Sequence, residues 1–258
     1  MNRRKPRSHR PRGRVAGPVG LIALVVIAGL TWAGLNAGGG DRDEAAAPTT
    51  SASPPLSSPT AAAPTAPASP SSARTQLAAL DVKGRAPRTG YERSEFGQAW
   101  TDDVNVPDGH NGCDTRNDIL RRDLTAVSVK PGSRGCVVLS GVLVDPYSGK
   151  TIDFLRGEKT SPAVQIDHVV AMSDAWQKGA AQWDTATRTD FANDPANLQA
   201  TDGPTNQQKS NGDTATWLPP NKAYRCTYVS RQIDVKARYG LWVTAAEKDA
   251  MTKVLSTC

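Results

Sequence analysis

The 258 residues include 22% charged and 38% hydrophobic side chains and carry a formal net charge of +6. That excess is local. Residues 1–14 hold seven Lys/Arg and no acid; without them the chain sums to −1, and setting aside the −2 run at 41–44 leaves +1. A broad basic field able to hold a polyanion is thereby excluded from the C-terminal part, where any such contact must come from a local patch.

Residues 16–35 are free of charge and strongly apolar. A helix rising ~1.5 Å per residue over this length spans about 30 Å, enough to cross a bilayer. Two readings stay open. An uncleaved single-pass anchor would keep residues 1–15 as a basic cytoplasmic tail, whereas a signal peptide would be removed. Either way the C-terminal part is expected outside the cell, secreted or at its surface. Residues 36–73, rich in Ala, Pro, Ser and Thr, have too few large apolar groups for a core and are expected to be a linker.

The remaining domain, 74–258, is long enough for one sizeable core. It contains all four cysteines, Cys113, Cys136, Cys226 and Cys258, an even number that in an exported domain points to two disulfides. Of the three possible pairings we expect chain order, Cys113–Cys136 and Cys226–Cys258. The wide spacing, without a C-x-x-C knuckle, argues against zinc.

In chain order, residues 91–100 (YERSEFGQAW) predict a short helix with Tyr91, Phe96 and Trp100. Residues 137–144 (VVLSGVLV) predict a strand, 145–149 (DPYSG) a turn, and 151–154 (TIDF) the returning strand. Residues 164–170 (VQIDHVV) read as a strand with Asp167 and His168 at its end. Residues 172–191 read as mainly helical, 197–201 as a short strand, and Pro204 as the first turn of a helix. Residues 224–239 and 245–255 read as two closing helices.

Hydrolysing a phosphodiester requires a base for water, compensation of phosphoryl charge and stabilisation of the leaving oxygen. His168 can be that base. Asp167 is a hard oxygen donor suited to Mg²⁺ or Mn²⁺, and Asn206 can offer an amide oxygen to the same ion. Asn197 reads as a group that positions the backbone carrying His168. Lys209, three residues after Asn206 on one helical face, is a candidate for phosphate contact. Arg116 in CDTRND is a second, because guanidinium suits paired phosphate oxygens; an ion pair with Asp114 is the alternative. Neighbouring strand residues point to opposite faces, so Asp167 and His168 share one site only at a bend or an edge. His110 reads as a loop residue, and Trp176, Trp183 and Trp217 as core or pocket wall. Arg225, Arg231, Lys236 and Arg238 read as solvated surface or as the local basic patch.

Asp-His, then Asn before Leu, then Asn-x-x-Lys on a helix resembles the ββα-metal HNH endonucleases. The string from 167 to 220 is similar to the branch related to the C-terminal domain of GmrSD-type restriction enzymes. The resemblance implies an α+β fold, with a ββα-metal core, added helices and an N-terminal hairpin region. It implies a metal-dependent endonuclease acting on DNA, with RNA left open. Asp167 and Asn206 fall on the metal-ligand positions, His168 on the general base and Asn197 on the central Asn; the final ligand, often His in the family, is Asn here. Mg²⁺ is the expected ion and Mn²⁺ the alternative. A non-catalytic surface-binding module and a cell-wall hydrolase are the competing classes. No feature of the sequence calls for a protein partner.

Overall fold

The computed structural model describes residues 69–258. The basic tail, the apolar stretch 16–35 and most of the linker lie outside the described residues. No helix among the described residues is long and apolar enough to cross a membrane.

The first helix, α1 (Pro70–Ala79), begins inside the range read as linker. Ser69 caps it by accepting from the Ser72 N–H, and Pro70 occupies the first turn, where its missing N–H costs nothing. Ala73 and Leu77, four apart, bury against the closing helices α6 (Arg225–Arg238) and α7 (Ala245–Leu255). The Ala/Pro/Ser composition therefore concealed the start of this helix, Pro70–Ala73, whose Ala73 is buried.

Residues 91–100 do not form the expected helix. Only Arg93–Phe96 make a single 3-10 turn, and positive φ at Gly97 (79°) and Trp100 (60°) ends it. Helix α2 (Thr115–Asp123) follows, capped by Asp114, whose carboxylate accepts from the Asn117 N–H at 2.9 Å. Strands β1 (Thr125–Val129), β2 (Val138–Val144) and β3 (Thr151–Leu155) form an antiparallel sheet in that order. The expected hairpin is β2–β3; β1 extends it to three strands. Ile119, Leu120 and Leu124 close over Val138, Leu143 and Phe154 to form one apolar core.

The second sheet is the antiparallel pair β4 (Val164–His168) and β5 (Leu198–Asp202), with Val164 opposite Asp202 and His168 opposite Leu198. Their connection carries α3 (Met172–Trp176) and α4 (Thr185–Asn193), and α5 (Gly203–Lys209) starts directly after β5. Directly opposed residues share a face, so the ribbon has two characters. Val164, Ile166, Leu198 and Ala200 join the apolar core. Gln165, Asp167, Gln199 and Thr201 form a polar row on the other face. The architecture is α+β, with a strand–strand–helix unit at its centre.

Disulfides join Cys113 to Cys136 and Cys226 to Cys258. The second ties the last residue to the start of α6. Closures of this length stabilise by roughly 2–4 kcal/mol through the unfolded chain. Trp176 is buried in the core, and Trp183 and Trp217 pack on its edges.

Candidate functional site

Asp167 lies on the polar face of β4, 5% exposed, with both carboxylate oxygens engaged. Lys209 donates to Oδ1 at 3.0 Å, and the Tyr147 hydroxyl donates to Oδ2 at 2.7 Å. Tyr147 is delivered by the turn between β2 and β3, where Asp145 accepts from the Ser148 N–H at 2.8 Å and the Thr201 hydroxyl at 2.8 Å. Burial raises the Tyr147 pKa strongly and Asp167 raises it further, so the phenol keeps its proton and donates. Burial also raises the Asp167 pKa, and Lys209 and Tyr147 only partly offset this.

Lys209 is 1% exposed and donates a second bond to the His168 carbonyl at 2.8 Å. Its ammonium thus ties α5 to the end of β4 from the interior. The phosphate contact expected of this side chain does not fit its burial; positioning does. One turn earlier on α5, the Asn206 Nδ2 donates to Gln165 Oε1 at 2.9 Å. Gln165–Asn206 and Asp167–Lys209 are successive rungs between strand and helix.

His168 points the other way, as the strand pleat requires; it is the last residue of β4, so the two side chains can serve one substrate only around the end of the ribbon. Its Nε2 lies 2.8 Å from the Ala192 carbonyl at the end of α4, and its ring stacks on Trp100 with centroids 6.0 Å apart and planes inclined by 20°. An imidazole facing a carbonyl carries its proton on that nitrogen, which leaves Nδ1 as the acceptor. Burial lowers its pKa to about 4; the Ala192 bond opposes this, and the charges of Arg93 and Lys209 add to it. The ring is therefore neutral near neutral pH. His168 lines a recess of about 230 Å³, whose other walls include Arg93, Gly97, Trp100 and Asn193.

Asn197 is fully buried just before β5. Its Oδ1 accepts from the Val170 N–H at 2.8 Å, and its backbone carbonyl accepts from the Val169 N–H at 2.7 Å. These bonds fix the chain immediately after His168.

Arg116 sits at the opposite end of β4, donating to the Val164 carbonyl at 3.2 Å. Burial, then the neighbouring Arg156, lower its pKa. Asp114 is engaged in capping α2, so the alternative Asp114–Arg116 ion pair does not form. His110 is an exposed loop residue, 3.8 Å from Asp103. Of the basic residues of α6, Arg238 is exposed, Arg225 and Arg231 are half-buried and Lys236 is interior. Lys236 is fully buried between Asp174 and Glu247, Arg231 donates to the carbonyls of Ala196 and Leu198, and Arg238 pairs with Asp234.

Tyr147, Trp100 and the Ala192 carbonyl are the contacts that sequence reading missed. The DPYSG turn signalled a bend but not the inward tyrosine, and a backbone carbonyl has no sequence signature.

Among the described residues no three His, Cys, Asp or Glu side chains gather as a metal site. The donors that remain are oxygens. Each Asp167 oxygen accepts one bond and retains a lone pair, and the Asn206 carbonyl is free while its Nδ2 is fixed on Gln165. A carboxylate and an amide oxygen are the hard donor type that Mg²⁺ takes, with water completing its coordination.

The family described as GmrSD restriction endonucleases, C-terminal domain, matches residues 114–254. An uncharacterized secreted protein of Arthroderma benhamiae is 41% identical over 192 residues, covering 74% of this chain and 86% of that protein. No solved structure matches the chain. The match spans α2 to α7 and includes Asp167, His168, Asn197, Asn206 and Lys209; the chain belongs to the family of GmrSD restriction endonuclease C-terminal domains.

Proposed function

We propose that the protein is an exported, metal-dependent endonuclease that hydrolyses phosphodiester bonds in DNA. The observation that carries this reading is His168. It is a neutral imidazole with one nitrogen held at a backbone carbonyl and the ring lining a recess, one residue from an under-compensated carboxylate.

In this reading, His168 Nδ1 takes a proton from water as its oxygen attacks phosphorus and the P–O bond to the leaving oxygen breaks. Asn197 and Lys209 act indirectly. Asn197 pins the backbone after His168, and Lys209 holds the His168 carbonyl and Asp167 together. Asp167 and Asn206 would hold the divalent cation, Mg²⁺ or Mn²⁺. When bound, it supplies neutralisation of charge on the phosphoryl and leaving oxygens. Arg116 serves substrate phosphate away from the reacting bond, since it lies at the far end of β4. Export is supported by the secreted relative, by the two disulfides and by the apolar stretch 16–35. The disulfides fit an oxidising compartment.

The test is cleavage of plasmid and single-stranded DNA by the purified protein with Mg²⁺, with Mn²⁺ and with chelator, alongside calorimetric metal titration. Metal-dependent cleavage is expected, with Asp167→Asn and Asn206→Ala each weakening metal affinity by 10-fold or more, on the order of 1.4 kcal/mol. Cleavage that survives chelation, or unchanged affinity in both variants, contradicts the assignment of the ligands.

A further inference from the structure

The wall of the His168 recess comes from residues that precede the family match. The 3-10 turn Arg93–Phe96 and the loop to Trp100 lie upstream of residue 114, yet they face His168 and Asn193 across the recess. This segment is pinned from outside the recess. Arg188 donates to the Glu95 carbonyl at 2.7 Å, Phe96 is buried against Trp176 and Phe191, and the Trp100 carbonyl accepts from the Thr115 N–H at 3.2 Å. Trp100 holds a left-handed φ of 60°, a conformation costly for a bulky residue, and in it the indole lies on the imidazole. A loop held in this way to place an aromatic ring has more than a connecting role.

Arg93 lies in this rigid frame with an unengaged head group. It is exposed, and among the described residues its guanidinium has no carboxylate and no hydrogen-bond partner. The neighbouring cations are all engaged. Arg85 pairs with Asp174 and Asp213, Arg88 lies over the Tyr91 ring, and Arg188 bonds to Glu95 and Trp183. Arg93 is also close enough for its charge to act on the His168 ring. In a domain whose charge nearly cancels, a single unpaired guanidinium beside the candidate base is a local source of positive charge. A second observation points to a ligand at the same place. Asn193 is 1% exposed and lines the recess, and its Oδ1 has no donor among the described residues.

We infer that Arg93 is a substrate-binding residue that contacts a backbone phosphate of the DNA lying in the His168 recess. The guanidinium fork matches two phosphate oxygens, which a lysine cannot do in the same geometry. The Asn193 oxygen, an acceptor, calls for a donor such as a base amine or water rather than for phosphate itself. This inference rests on the nuclease reading and extends its substrate site to a segment outside the family match.

The experiment is steady-state cleavage of a short labelled DNA duplex by the full-length protein in Mg²⁺ at several salt concentrations. Arg93→Ala and Arg93→Lys are compared with the parent, and Arg88→Ala serves as a charge-matched neighbour. Arg93→Ala is expected to raise KM roughly tenfold with kcat within about threefold, as for a contact made equally in ground and transition states. The salt dependence of binding should fall in slope by about 1, one phosphate contact. Arg93→Lys should lie between, and Arg88→Ala should match the parent. KM for Arg93→Ala within twofold of a parent that cleaves overturns the inference and leaves the nuclease reading standing. An equal rise in Arg88→Ala also overturns it, because the effect would then be general charge. A parent that does not cleave with Mg²⁺ or Mn²⁺ refutes the nuclease reading, and this inference with it.

Discussion

Around Lys178, three cations meet three carboxylates, whereas around Asp167 one ammonium meets one carboxylate and a phenol. Lys178 reaches Asp174 at 2.7 Å, Asp213 at 2.9 Å and Glu247 at 2.6 Å. Lys236 bridges Asp174 and Glu247, and Arg85 bridges Asp174 and Asp213. The charges balance, and the network joins α3, the chain after α5, α6 and α7. Both clusters are buried, but their carboxylates respond in opposite senses. Burial pushes Asp174 up, yet Lys236, Lys178 and Arg85 overcome it and hold the group below its ordinary value. Burial pushes Asp167 up, and its partners do not overcome it. A closed, balanced network holds elements together; an under-compensated carboxylate retains affinity for a further cation. The first arrangement holds the fold, and the second is the one to which the proposed function assigns a metal ion.

The largest effect expected from disturbing the balance is at Lys178. Lys178→Met leaves three carboxylates facing two cations in the interior, and should lower stability by about 3–5 kcal/mol, as removing one partner of a buried ionic group does. Chemical denaturation checks this, and adding Glu247→Gln to the same variant should recover part of the loss. Additive losses in the double variant would mean that the network does not act as a unit.

Acid should act more gently on the same cluster. The folded-state pKa of Asp174 is depressed to about 2, and Asp213 is also lowered, with burial opposing and Lys178 favouring the shift. A depressed carboxylate contributes stability that is present above the unfolded value and lost as pH falls through the folded one. The contribution of Asp174, about 2 kcal/mol, should therefore disappear between roughly pH 4 and pH 2. Asp167, raised rather than lowered, contributes with the opposite sign. Urea midpoints measured across this window, for the parent and for Asp174→Asn, test the difference. An acid slope that is unchanged in the variant contradicts the assignment.

The sequence made the two regions unequally legible. The order β4, β5, α5 could be read because its signals are local: alternating apolar residues, an Asp-Pro break, and Pro204 in a first helical turn. Asn206 and Lys209 fell on one helical face for the same reason. The partners that give those residues their chemistry come from elsewhere in the chain. Tyr147 arrives from a turn 20 residues before Asp167, and Lys209 from a helix 42 residues after it. The Lys178 network was not legible at all. A lysine in a polar helix reads as surface, and Lys236 becomes interior only because Asp174 and Glu247, on other helices, meet it there. The same holds for α1, whose two buried residues have no visible purpose until α6 and α7 cover them.

His168, unlike the buried charges that only hold the fold, is proposed to perform chemistry. Single-turnover cleavage of DNA by the purified parent and by His168→Ala, in saturating Mg²⁺, tests it most directly. The expected rate is lower by on the order of 10²–10⁴, with metal affinity close to that of the parent, in a variant that circular dichroism shows to be folded. A variant that cleaves within threefold of the parent would contradict it.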